Sequence, residues 1–367
     1  MKLALLIPGG VDRSGEDRVI HAFLWLLERL ARRHDVHVFA LNQEPDPAEW
    51  DLLSARVHNV GKVGAWRRRL LASFSLEQKK SPFHVIHGFF GWGGTYGALL
   101  GWRHHLPVLF HAAGGELVAL DDIGYGMRCS AKGRLQLRIA VAGARRVTVA
   151  TAYMQALAAH LHVRTEQVPI GVALDRWPAA APRRRDASRP VRLLHVGDIR
   201  PVKGQATLLA AVHILRNAGI DFELDMVGVD TMDGELQQSP NALALGEKLR
   251  WHGVLRRSAL RALMDRADLL IMPSHHEAGP LVVLEAALAG VPTVGTSVGH
   301  VADWAPHAAV AVPVGDANAL AREIIALLTN EPRRLAMAEE SQRRAIAIDA
   351  DYTAATFERI YAELCAS

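Results

Sequence analysis

The sequence has little cysteine. Two residues, Cys129 and Cys365, stand in unrelated contexts in a chain of 367. They make neither a disulfide framework nor the paired spacing of a zinc site, and so sparing a use fits a reducing cytoplasm. Long apolar runs are missing as well. No stretch of about 18 uncharged apolar residues occurs, which argues against a membrane-spanning helix. The opening MKLALLIPGGVDRSG is apolar only briefly and runs through Pro-Gly-Gly into charges, with no small-residue cleavage site. It is expected to be a first strand and not a signal peptide. Aromatic residues are 6% of the chain and do not alternate with basic ones, and no recognition-helix or zinc-finger spacing is present. Nucleic acid is therefore a poor candidate partner. G-x-G-x-x-G is absent, so the dinucleotide fingerprint finds no support. No short internal repeat appears.

What remains is a globular composition, 50% apolar and 22% charged, on a chain long enough for two cores. The net charge of +4 is unevenly placed: residues 1–180 hold 22 Lys and Arg against 15 Asp and Glu, residues 181–367 hold 20 against 23. A basic first half suits an anionic partner. Its sharpest cluster is AWRRRLLASF, with Arg67, Arg68 and Arg69, followed by Lys79 and Lys80. Two readings stand: a solvated helix face, or peripheral contact with an anionic membrane at its inner side.

Apolar runs and helical periodicity alternate along the chain. LALLIP (3–8) reads as a strand buried on both faces, residues 16–34 as a helix, and HVFAL (37–41) as a strand again. Further strands are expected at 83–88, 106–111, 145–151 and 166–170. PAAAPRRRDASRP (178–190) has no periodicity and reads as an interdomain linker. Alternation restarts at VRLLHVG (191–197) and continues through a helix at 205–217, a strand at 222–228, a helix at 257–267 and a strand at 268–273. A helix opening near Pro280, strands at 291–296 and 308–313, and a helix at 318–329 follow. Long helices, roughly 332–349 and 352–364, close the chain. The expected class is α/β: a doubly wound domain over 1–177, a linker, and a second over 191–349. Two such domains leave a cleft, with ligands outside the carboxyl ends of the strands.

Four segments carry candidate chemistry. In PSHHEAGPLVVLEAALAG, Ser274 to Gly279 is a loop after a strand, and Pro280 suits the first turn of the helix that follows. The backbone amides of Leu281 and Val282 would then face an anion. Glu277 lies before them and Glu285 about one turn beyond, both able to accept bonds from hydroxyls. A glutamate early in a helix also favours the helix dipole without any ligand. In GDIRPVKG (197–204), Gly197 ends a strand, and Arg200 and Lys203 are two cations at a helix start. That placement opposes the dipole, so a bound diphosphate accounts for it better. In PGGVDRSG (8–15), Gly9 and Gly10 let the backbone approach a ligand, or simply make a tight turn. In FHAAGGEL, His111 ends a strand and Gly114, Gly115 and Glu116 follow. His111 is a candidate acid, base or hydroxyl partner, or a structural histidine. His275 and His276 beside Glu277 lack a third ligand at useful spacing, so no metal is expected.

These residues together resemble glycosyltransferase family 4. Ser274–Gly299 is similar to its E-x7-E signature with the EA-x-A-x-G helix and G-x-P-x-V strand. GDIRPVKG resembles its Arg/Lys loop, PGGVDRSGEDRVI its glycine loop, and VPIGVALDRW (168–177) its P-x-G-V-D segment, all in the family's order. The loop reads EAGP where many members carry an aromatic, and His300 stands where a second glycine is common. The resemblance implies a GT-B fold and a retaining transferase that needs no bound metal. Two facing Rossmann-like domains would carry it, with a terminal helix crossing back to the first. Its co-substrate would be a UDP- or GDP-sugar, and its acceptor a glycan, lipid-linked or small molecule. Glu277 would hold the donor sugar, Glu285 the ribose, and Arg200 and Lys203 the diphosphate, helped by Gly279, Pro280 and the Leu281 and Val282 amides. Gly10 would approach the diphosphate and His111 the reacting carbon, with Glu116 and Gly115 on the acceptor side. Alternatives are a non-catalytic assembly subunit of the same fold or another enzyme of that fold, such as a sugar-nucleotide epimerase.

Overall fold

In the computed structural model, which describes residues 1–366, the first strand is buried along its whole length. It founds a sheet whose elements follow in the order β1 (Lys2–Ile7), α1 (His21–Leu30), β2 (Asp35–Ala40), β3 (Ala48–Leu52), β4 (Ala55–Asn59), α2 (Trp66–Lys80), β5 (Val85–Phe89), α3 (Phe90–His104), β6 (Val108–Ala112), α4 (Ala131–Gly143), β7 (Arg146–Val149), α5 (Ala152–His160) and β8 (Glu166–Gln167). The strand order is β3-β4-β2-β1-β5-β6-β7-β8, parallel except for the β3–β4 pair. Strands buried on both faces need helices on both faces, and β1, β5 and β6 are buried at every position, the last two with one histidine each.

The second sheet is built from β9 (Val191–Val196), α6 (Gln205–Asn217), β10 (Phe222–Val227), α7 (Pro240–Leu243), β11 (Leu249–Trp251), α8 (Arg257–Met264), β12 (Leu269–Met272), α9 (Leu281–Leu288), β13 (Thr293–Thr296), α10 (Gly299–Trp304), β14 (Val310–Val312), α11 (Ala317–Leu328) and α12 (Glu331–Ala347). Its strands run β11-β10-β9-β12-β13-β14, all parallel, the doubly wound order of a Rossmann sheet. A last helix, α13 (Ala350–Ala366), belongs to the first unit. Its Phe357, Ile360 and Tyr361 join that unit's core. Arg29 on α1 bonds Asp351 at 2.7 Å, and Tyr361 Oη shares a 2.7 Å bond with His87 on β5.

The units are Met1–Ala173 with the chain from Ile348 on, and Leu174–Ala347. The expected first boundary at 177 moves to 173 because Trp177 is buried in the second unit, where its indole N–H donates to the Glu285 carbonyl at 3.0 Å. The expected linker, 178–190, has no helix or strand but is fixed to that unit. Ala180 N–H donates to Leu288 O at 2.8 Å, Arg183 to Ala267 O at 2.6 Å, and Arg185 N–H to Glu331 at 2.9 Å.

Other differences have local causes. Helix α1 starts at His21, not near 16, because Ile20 N–H bonds back to Gly10 O and Gly10 bridges Val19. Strand β8 stops at Gln167, two residues before Pro169, which has no N–H for a ladder. Pro280 is the N-cap of α9, with extended ψ of 113°, and not its first helical residue. The β3–β4 hairpin turns at Leu53 and Ser54, both at positive φ (51° and 65°).

Candidate active site

In the second unit the loop after β9 and the loop after β12 lie against each other at the carboxyl edge of the sheet. Gly204, at φ +65°, makes this approach possible: a Cβ there would stand 2.1 Å from Pro273 O. His275 N–H donates to Val202 O at 2.7 Å, which locks the two loops together. Lys203 then reaches across, its Nζ 2.7 Å from Glu277 Oε1. The same oxygen accepts the Ser274 hydroxyl at 2.7 Å. Ser274 is held in turn by the Thr296 hydroxyl, which donates to its carbonyl. Arg200 is exposed on the same loop, three residues before Lys203.

Helix α9 begins just beyond Glu277; Val283 N–H donates back to Pro280 O at 3.2 Å, and the Leu281 and Val282 amides before it have no partner inside the helix. The α10 start closes in from the other side. At Gly299, φ +52°, a Cβ would come within 2.8 Å of Pro280 Cδ and 3.0 Å of Glu277 Cβ. His300 follows, buried and pulled down to about 4 by loss of solvent, with Glu277 nearby opposing the shift. Its Nε2 is buried with no hydrogen-bond partner. His195 lies beneath, also lowered to about 4 by burial, its Nδ1 2.9 Å from Ile271 O.

Glu285 sits in the second turn of α9, only 7% exposed. Burial raises its carboxyl to about 7, with the Arg257 charge pulling the other way. No described residue hydrogen-bonds to that carboxyl. Gly197, Gly279, Pro280, Leu281 and Val282 all line these loops and the helix start, as the sequence places them. Among the described residues no group of three or more His, Cys, Asp and Glu is placed to hold a metal.

The first unit has its own recess, a cavity of about 560 Å³ where the strand order reverses between β1 and β5. Pro8, Asn42, Trp92, Glu116, Tyr125 and Gln136 are among its walls. Glu116 accepts Gly91 N–H at 3.0 Å and Gly114 N–H at 2.7 Å. Burial raises its pKa, although these amides pull it back. Gly91 and Gly115 keep the walls close: a Cβ on the first would meet Met127 Sδ at 2.4 Å and push that flexible side chain aside, on the second the Tyr125 ring at 2.8 Å. Gly10 is at φ +88° and packs on Ile20. Its amide is already taken by Gln43 Oε1 at 2.6 Å, as is that of Val11 at 3.1 Å. Gly9 also lies on Gln43.

His111 departs from expectation. Its side chain has no exposed surface, is packed among His87, Phe89 and Phe357, and shares a 2.9 Å bond with Thr148. Burial lowers it to about 3. It is a neutral core imidazole, closed off from any substrate in this conformation. Gln43, Ser274, Thr296 and His195 support the loops and were not singled out from sequence, since Gln, Ser, Thr and His are too common to mark a site without neighbours in space.

Two family models match the chain, Glycosyl transferases group 1 over residues 181–344 and Glycosyl transferase 4-like domain over 19–173. The D-inositol 3-phosphate glycosyltransferase of Geodermatophilus obscurus is 30% identical over 311 residues, 77% of this chain and 69% of that one. The chain belongs to glycosyltransferase family 4. Glycogen synthase of Mycobacterium tuberculosis is 36% identical over 129 residues, 35% of this glycosyltransferase, which spans only 31% of that enzyme's length. HepE of Anabaena, solved with UDP-glucose, superposes with a TM-score of 0.76 at 17% identity, covering 99% of this glycosyltransferase and 100% of HepE. The glycosyltransferase thus has the GT-B fold, its two parallel-sheet units each doubly wound.

Proposed function

We propose that the glycosyltransferase moves a sugar from a nucleoside diphosphate sugar to an acceptor hydroxyl and keeps the anomeric configuration. The observation that carries this is Glu285, a carboxyl almost wholly out of water with no protein partner. It stands one turn beyond the Leu281 and Val282 amides, on the helix that follows the Glu277 loop. Buried carboxyls without partners are costly, and ribose hydroxyls are a fitting complement. Glu277 binds the sugar hydroxyls. Lys203, Arg200 and the start of α9 oppose the charge that grows on the departing diphosphate. The C1–O bond to diphosphate breaks and the bond to the acceptor oxygen forms on the same face. The acceptor proton goes to the departing phosphate oxygen. These cations do the work a metal does elsewhere, so turnover is expected to persist in chelator. Gly10 serves by letting backbone come close, since its amide is spent on Gln43. The cavity around Glu116 takes the acceptor, a glycan, lipid-linked or small molecule. His111 keeps no catalytic part in this proposal.

UDP-glucose is the first donor to try, because HepE holds it. The test is a thermal-shift screen against UDP, GDP, ADP and their sugar conjugates, in chelator and then in Mg²⁺. At a concentration of about 100 times Kd, the right donor adds about 2.7 kcal/mol of stability. A shift with one base, unchanged by metal, is the expected outcome. No shift with any nucleotide would reject the donor site and favour an assembly subunit.

A further inference from the structure

Helix α3 is built inside out. Its packed side is mostly glycine: a Cβ at Gly94 would lie 2.4 Å from the Phe110 ring, at Gly101 2.3 Å from Val108, and at Gly93 2.4 Å from Leu6 O. Leu100 is the large apolar side chain it buries in the core, while its outward side carries the others. Trp92, Leu99 and Trp102 are 45%, 43% and 51% exposed. Residues 92, 96, 99 and 103 follow the i, i+4, i+7, i+11 stripe of one helix face, with 102 beside it. A solvated helix face is normally polar. Here only Arg103 is charged.

The neighbouring helices extend the patch. On α2, Trp66 stacks on Trp92 with centroids 5.9 Å apart, and Arg67 Nε donates to Tyr96 Oη at 2.8 Å. Ser75 lies 3.3 Å from His104. Leu71, 37% exposed, falls on the same α2 stripe between Arg67 and Ser75. On α4, Gly143 abuts the Trp102 ring, and Leu135 is 57% exposed among Lys132, Arg134 and Arg138. The three helices together carry nine Lys and Arg against one acid, Glu77. That acid is buried and tied to Lys2 and Lys80. An apolar strip with outward tryptophans, ringed by cations and free of exposed carboxylates, complements an anionic lipid surface in both chemistry and charge. No described helix is long and apolar enough to cross a membrane, so the contact is peripheral.

The geometry points to one assignment: the α2–α3–α4 face docks on an anionic phospholipid surface and presents the Glu116 cavity there to an acceptor anchored in the lipid. The link to the cavity is direct, since Trp92 and Gln136 belong to both. The acceptor half of the assignment rests on the proposed function; the docking half does not.

The test is co-sedimentation of the full chain with vesicles of phosphatidylcholine alone and with about one third phosphatidylglycerol. Binding is expected with the anionic vesicles only, and weakens as salt rises. Leu99→Ser with Trp102→Ser lowers it roughly tenfold or more, as loss of two inserted apolar groups requires. Should that variant misfold, Lys132→Glu with Arg138→Glu, both on the exposed side of α4, gives the same loss. No binding by the wild type, equal binding to neutral vesicles, or binding untouched by both variants overturns the docking. Concentration-dependent dimers that Trp102→Ser abolishes, with no vesicle binding, make the face a self-association surface and also overturn it. The donor-induced thermal shift is read in the same samples. Its loss would sink the donor site alone, and its retention without vesicle binding would sink only the docking.

Discussion

Glu285 illustrates what one residue holds. Its folded pKa is about 7 against an ordinary 4.5. The folded state therefore holds a proton that the unfolded state has lost between these values, and stability falls as pH rises from about 4.5 through 7. The cost is complete above 7 and amounts to about 3 kcal/mol, at roughly 1.4 kcal/mol per pH unit. Glu285→Gln removes it. The variant is expected to melt several degrees higher than wild type at pH 8 and at the same temperature at pH 4.5, while binding the nucleotide donor more weakly. Equal melting temperatures at both pH values would show the carboxyl to be solvated or paired. The pair Glu277 and Glu285 was legible as spacing, and so was Lys203. That Lys203 bonds Glu277 was not, because the two lie 74 residues apart and meet only when two loops pack. Nor was the burial of His111, since a histidine at a strand end is equally consistent with an open edge or a closed core.

At the scale of elements, the strands were readable wherever burial on both faces forced an unbroken apolar run. The β3–β4 hairpin was not. Leu53-Ser54 carries none of the Asn-Gly or Asp-Gly chemistry that marks a two-residue turn, although both residues adopt the positive φ such a turn demands. Helix α3 was hidden in another way: FGWGGTYGALLG packs mostly through glycine, so its buried side lacks the usual apolar stripe apart from Leu100, and Trp92, Leu99 and Trp102 point outward. The loops of the second unit depend on glycine more sharply. Gly204→Ala adds a Cβ at positive φ and 2.1 Å from a carbonyl oxygen, so the two loops must separate. The variant is expected to lose about 2 kcal/mol or more of stability, the sum of backbone strain and a forced shift. It should also lose donor affinity, because Lys203 and Glu277 no longer meet. Calorimetry and donor titration of the same sample check both. A stable variant with wild-type affinity would mean the loop contact does not organise the site.

At the scale of the molecule, the two units differ in charge, though not along the line the sequence halves suggest. The first unit holds 22 Lys and Arg against 18 Asp and Glu, with nine of the basic residues on α2, α3 and α4, and the second holds 20 of each; the slight acidity of residues 181–367 comes from the last twenty residues, which belong to the first unit. Each unit also closes its own core: Phe357, Ile360 and Tyr361 with β1, β2 and β5 in the first, Leu208, Leu224 and Ile271 among others in the second. Chain order did not reveal that α13 completes the first core, and only the resemblance to family 4 suggested it. Two cores with separate ligands should respond separately. Scanning calorimetry of the full chain is expected to resolve two transitions. Tyr361→Ala, which empties a side-chain volume that is 0% exposed, lowers only one of them, by the equivalent of about 3–5 kcal/mol. The nucleotide donor raises only the other. If donor and mutation move the same single transition, the units unfold as one body, and a stabilising donor would then rescue the Tyr361 variant as well.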